Sequence, residues 1–108
     1  MAFDAVLGDR LRDVLGDVAA ISEKKMFGGL AFLDRGNMTV GVIGDDLIAR
    51  IGQDATDAAL AEPGVRLFDF TGKPMRGWVV VAGEYLDDDV LREWVGRARD
   101  FVATLPAK

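Results

Sequence analysis

The chain contains no cysteine and no histidine. Without cysteine there are no disulfides and no thiolate metal sites, and nothing in the composition argues for export. Without histidine the Ser-His-Asp and Cys-His triads, the commonest general base and the commonest zinc ligand are all excluded. Acid–base chemistry would fall to aspartate, glutamate, lysine or Tyr85, and Ser22 and Thr71 have no imidazole to activate them. Long apolar runs are missing too. The longest, such as WVVVA, fall far short of the roughly 20 residues of a membrane-spanning helix. The start of the chain carries Asp4 and no basic segment, so no signal peptide is expected. Repeats, low-complexity tracts and linkers are absent. The expectation is one domain over residues 1–108, in the cytoplasm, with no membrane partner and no cofactor.

Positive charge is also in short supply. The formal charge is −5, so the body repels phosphate backbones, and direct nucleic-acid binding requires a local basic patch. Half of the residues are apolar and the aromatics are spread along the chain, which is a globular composition rather than a disordered one.

What is present is patterned. Phe3, Val6, Leu7, Leu11, Val14, Leu15 and Val18 recur at helical spacing. From Lys24 to Ile51 the period becomes two. GLAFL and MTVGVI flank the turn sequence DRGN, and LIARI follows after GDD. Leu30, Phe32, Met38, Val40, Val42, Leu47, Ala49 and Ile51 are expected on one face, with Ile48 and Arg50 on the other. DATDAALA reads as a short helix closed by Pro63-Gly64. VRLFDF and RGWVVVAG are two more strands around TGKPM. The final stripe, Leu91, Trp94, Val95, Ala98, Phe101, Val102 and Leu105, is a helix with Asp87 as N-cap and a Leu86–Leu91 staple. Asp88 and Asp89 sit at its positive end. The expected fold is α+β: an antiparallel sheet of about five strands covered on one face by helices. Its order is α-β-β-β-α-β-β-α, with room for one extra short strand at residues 24–27.

Two stretches stand out chemically. In EKKMFGG, Lys24 and Lys25 precede Gly28 and Gly29, and a strand follows. A phosphate-gripping loop needs the reverse order and a helix start, so a glycine bend or close backbone approach is the expected reading. In FTGKPMRGW, Gly72 to Pro74 is turn chemistry, while Lys73 and Arg76 bracket Met75 near Trp78. Cations beside methionine and tryptophan suit recognition of a protein or a stacked base, although Met75 and Trp78 in such a pattern are more often simply core. Lys24, Lys25, Arg50, Lys73 and Arg76 are expected to converge if the strand order allows. The carboxylates of Asp45-Asp46 and of Asp87 to Asp89 are candidates for a weakly held metal, although aspartate belongs in turns and caps anyway.

KKMFGGLAFLDRGNMTVGV, DDLIARIG and GVRLFDFTGKPMRGW together resemble the N-terminal domain of the TfoX (Sxy) competence-regulator family. The resemblance implies a secretion-chaperone-like α+β domain. It also implies a role beside a DNA-binding partner in transcriptional co-activation, with no catalytic residues. The family's competence regulators carry a further C-terminal helical domain, which this chain is not expected to contain. The motif residues are Lys24, Lys25, Met26, Phe27, Gly28, Gly29, Arg50, Gly72, Pro74, Met75, Gly77 and Trp78. The expected function is a non-enzymatic protein-interaction module, monomeric or homodimeric. Its partner is the transcription machinery or a DNA-binding regulator. Lys24, Lys25, Lys73 and Arg76 supply charge, with Arg50 beside them, and Met26, Phe27, Met75 and Trp78 supply anchors. Direct nucleic-acid binding through the same patch is the second reading, and a carboxylate-held metal enzyme the third.

Overall fold

The computed structural model describes residues 4–16, 20–26, 28–69, 72 and 75–107. In chain order the elements are α1 (Ala5–Leu15), β1 (Ile21–Met26), β2 (Gly29–Asp34), β3 (Asn37–Ile43), β4 (Asp46–Arg50), α2 (Gln53–Leu60), β5 (Val65–Phe68), β6 (Met75–Val81) and α3 (Asp88–Val102). A single 3-10 turn, Gly83–Tyr85, leads into α3. The α+β class and the segregation of helices from hairpins are as expected. The strand count rises to six because the extra strand is longer than the pattern implied. Four of the six residues of β1 are exposed, so it carries no apolar alternation to read.

The strands form one antiparallel sheet in the order β1-β2-β3-β4-β6-β5. The first four strands are a meander of consecutive hairpins. β4 and β5 both lie antiparallel to β6, so they run parallel to each other, and α2 makes the crossover between them. β6 then fills the gap and completes the centre of the sheet.

All three helices lie against one face. Leu30, Phe32, Val40, Val42, Leu47, Ala49, Ile51, Val79 and Val81 meet Leu7, Leu11 and Leu15 of α1, Ala59 of α2, and Leu91, Trp94, Val95 and Ala98 of α3. Each fully buried aliphatic side chain here contributes about 1.5–3 kcal/mol. Helix ends follow local chemistry. Asp4 accepts hydrogen bonds from the N–H groups of Val6 and Leu7, and Asp87 accepts one from Val90. Leu86 and Leu91 are both buried, as a hydrophobic staple requires. Val6 departs from its expected place in the α1 stripe and is 66% exposed. One residue before Leu7, it is turned about 100° away from the Leu7–Leu11–Leu15 seam. Phe3 and Val18 lie outside the described residues.

The second departure is Met38, which lies on the face opposite to Val40. Pairing steps from Phe32–Val40 to Leu33–Met38, leaving Thr39 as an extra residue on β3. A bulge of this kind inverts the alternation beyond it. Met38 therefore joins a second, smaller cluster with Ala31, Ile48, Phe68 and Val80, fringed by half-buried Met26, Leu33, Ile43, Met75 and Trp78. No helix residue belongs to that cluster. Among the described residues no helix is long and apolar enough to cross a membrane.

Candidate functional site

Strand register decides which way each candidate side chain points. Lys24 stands opposite Ala31, so it shares the helix-free face of the sheet. Glu23 and Lys25 stand opposite Phe32 and Leu30, which belong to the helix-covered face. The partners of Glu23 agree. Its carboxylate accepts hydrogen bonds from Arg12 of α1 at 2.8 and 2.7 Å. That contact holds the Glu23 carboxyl below the usual carboxylate range and pushes the Arg12 guanidinium up. Adjacent in sequence, Lys24 and Lys25 thus serve opposite sides of the molecule.

The glycines of the same stretch are built into the backbone. Gly28 turns at φ 72° between β1 and β2. A Cβ on Gly29 would lie 2.0 Å from the carbonyl oxygen of Val42, so β3 passes too closely for any side chain. Met26 reaches the helix-free cluster. Phe27 lies outside the described residues.

At the other end of the sheet, Arg50 closes β4 opposite Trp78 on β6. Its guanidinium carbon is 4.9 Å from the Trp78 ring centre and 5.7 Å from that of Phe101. Trp78 in turn meets the Phe68 ring, with centroids 6.4 Å apart. Burial pushes the Arg50 guanidinium below the ordinary arginine pKa. Among the described residues no carboxylate lies within ion-pair reach of Arg50 or Arg99, whereas Arg10, Arg12, Arg35, Arg66, Arg76, Arg92 and Arg97 all have one; of the two, only Arg50 is stacked on aromatic rings.

Met75 and Trp78 both join the helix-free cluster although they are three residues apart. The pairing between β5 and β6 jumps from Leu67–Val79 to Phe68–Met75, which releases residues 76–78 from the ladder on that side. Gly77 makes the jump at φ 95°. Its N–H donates to the Thr56 hydroxyl at 3.0 Å, and its carbonyl accepts from Ile51 and Gly52 at 2.8 and 3.1 Å. Arg76 pairs with Asp57 of α2 at 3.0 Å. Gly72 closes a turn by donating to the Asp69 carbonyl. Lys73 and Pro74 lie outside the described residues.

The expected convergence of five cations does not occur. β1 is separated by two strands from β4 and by three from β6. At about 4.8 Å per strand this places Lys24 roughly 14–19 Å from the Arg50 and Arg76 strands. The structure instead unites Lys24, Met26, Arg50, Met75 and Trp78 on one face, sends Lys25 to the other, and draws Arg76 to α2. Arg50, Gly52, Gln53, Arg76, Gly77, Trp78 and Phe101 line a cleft of about 140 Å³. Three of its contributors were not legible as site residues. Phe101 reads as one more member of the α3 core stripe. Gly52 and Gln53 sit at an ordinary helix start, and only the β6 register brings them here.

The acidic clusters carry structural duties. Asp46 accepts from Arg66 and from the Gly83 N–H. Asp87 caps α3, Asp88 pairs with Arg10, and Asp89 with Arg92. Among the described residues, no group of three or more aspartate or glutamate side chains is placed to hold a metal ion.

Neither a curated protein nor a solved structure matches the chain. Residues 13–102 match the family model of the TfoX N-terminal domain. That span runs from the last turn of α1 to the end of α3 and contains every described strand. On that match the chain belongs to the TfoX N-terminal domain family.

Proposed function

We propose that this chain is a cytoplasmic protein-interaction module serving transcriptional co-regulation, without catalytic activity of its own, and that its docking surface is the helix-free face of the sheet. The observation that carries this reading is the composition of that face. Half-buried Met26, Met75 and Trp78 ring a small apolar centre, with Lys24 exposed at the β1 edge. Methionine adapts its shape to a partner, and tryptophan is among the residues that concentrate binding energy. A rim lysine speeds capture of an acidic partner more than it tightens the complex. Family membership supports the same reading, because the family's competence regulators work beside a DNA-binding partner.

The opposed directions of the two lysines supply the test. Lys24→Glu and Lys25→Glu make the same change in net charge, one on each face. Immobilised wild-type and variant chains are exposed to native lysate, and the captured proteins are quantified individually. A partner of the helix-free face is depleted several-fold by Lys24→Glu and retained by Lys25→Glu. Equal depletion by both variants, or by neither, refutes docking on this face.

A further inference from the structure

The cleft at the end of β4 has a feature that a docking face does not require. Arg50 is partly buried, stacked on aromatic rings, and without a carboxylate partner among the described residues. Stacking fixes the plane of a guanidinium but leaves its N–H edge unused. A cation withdrawn from water and given no anion is costly, and such groups concentrate at functional sites. Arg76 lines the same cleft. Its ion-pair partner among the described residues, Asp57, is 82% exposed, so the pair is weak and readily exchanged.

We infer that the Arg50–Arg76 cleft binds a phosphate group. The cleft's volume of about 140 Å³ is well below the roughly 300 Å³ at which small-molecule pockets begin. It therefore accepts one functional group rather than a whole nucleotide. The planar fork of arginine matches oxyanions in a bidentate manner. A carboxylate is satisfied by one such fork. A phosphate has oxygens for two, and its second negative charge offsets both guanidinium groups. The Gln53 side chain is a further donor on the cleft wall. Asp57 is the built-in competitor, since it holds Arg76 when the cleft is empty. The cleft shares Trp78 with the proposed docking surface, but the inference does not rest on that reading, because phosphate is titrated into the free chain with no protein on the sheet.

Phosphorus-31 NMR of inorganic phosphate, titrated with the full chain at constant ionic strength, tests the site. Saturable broadening is expected with the wild type. Arg50→Gln, checked for retained fold, weakens the response at least ten-fold, and Arg76→Gln weakens it several-fold. Asp57→Asn strengthens it several-fold by freeing Arg76, and Asp13→Asn on α1, which removes the same charge outside the cleft, does not. A second titration with O-phosphoserine separates the sources. Tighter binding of inorganic phosphate marks a free ion as the ligand, and tighter binding of the ester marks a group carried on a larger molecule; either result upholds the site. No saturable response from either probe, or an undiminished response in folded Arg50→Gln, overturns it. Should Arg50→Gln fail to fold, the exposed pair decides: unchanged binding in both Arg76→Gln and Asp57→Asn overturns the assignment.

Discussion

The backbone of Gly77 sits at φ 95°, a region that strains any residue with a side chain. Both of its polar groups are committed, the N–H to Thr56 and the carbonyl to Ile51 and Gly52. A Cβ at this position would find its nearest neighbours at 3.4 Å, which is ordinary contact, so the penalty for alanine is conformational rather than steric. Gly77→Ala is therefore expected to cost about 1–2 kcal/mol. The urea midpoint should fall with the slope unchanged. Thr56 supplies the other half of the link. Its buried hydroxyl donates to the Gly52 carbonyl at 2.8 Å while accepting from Gly77. Thr56→Val leaves the Gly77 N–H buried without an acceptor and should cost about 1–3 kcal/mol. Thr56→Ser keeps the hydroxyl and should recover most of that loss. If valine and serine are equally destabilising, lost packing rather than the hydrogen bond explains the effect.

Elements differ in how firmly they are held, and β1 is tied on one side only. It pairs with β2, and its charged link to the helical layer is Glu23 with Arg12. Both groups are more than a third exposed, at 39% and 45%, so solvent screening limits the pair to less than about 1 kcal/mol. The sign of its pH dependence is nonetheless fixed. The folded-state pKa of Glu23 is depressed, so its contribution is present above the unfolded value of about 4.3 and is lost as pH falls through the folded value. Glu23→Gln should lower stability slightly at pH 7 and flatten the decline below about pH 4.3, measured by urea unfolding across an acid series. An unchanged acid limb would show that the ion pair contributes nothing. The sequence was readable wherever the determining chemistry is local. Asp87, Leu86 and the stripe from Leu91 to Val102 specify α3 within one segment. The hairpins around DRGN and GDD were legible for the same reason. Thr39 gives no local sign that it is an extra residue, so Met38 was placed on the wrong face. The insertion of β6 between β4 and β5 is decided by burial across the whole sheet. The motif residues therefore stand out in the sequence, while the placing of the described ones on one face and in one cleft does not.

At the scale of the whole molecule, sheet order and helix cover together set the ranking of local stability. β3, β4 and β6 have strands on both sides and helices across one face. Their side chains Val40, Val42, Leu47, Ala49, Val79 and Val81 are at most 1% exposed. Opening any of them exposes the main core, so their amides should exchange only through global unfolding. β1 lies at one edge, and four of its six residues are already exposed. Peeling it away uncovers little beyond Ile21 and Met26, and the edge lysines discourage replacement by a foreign strand. Hydrogen exchange across a low urea series separates the two regimes. Amides of β3, β4 and β6 should follow the slope of global unfolding. Those of β1 should exchange faster and respond weakly to urea, since a small opening exposes little surface. Glu23→Gln should accelerate β1 further while leaving β4 on the global line, apart from the small loss in overall stability. If the β1 amides lie on the same line as Val40 and Val79, the edge is not an independently opening unit. Lys24 and Met26 would then present to a partner on a surface as rigid as the core.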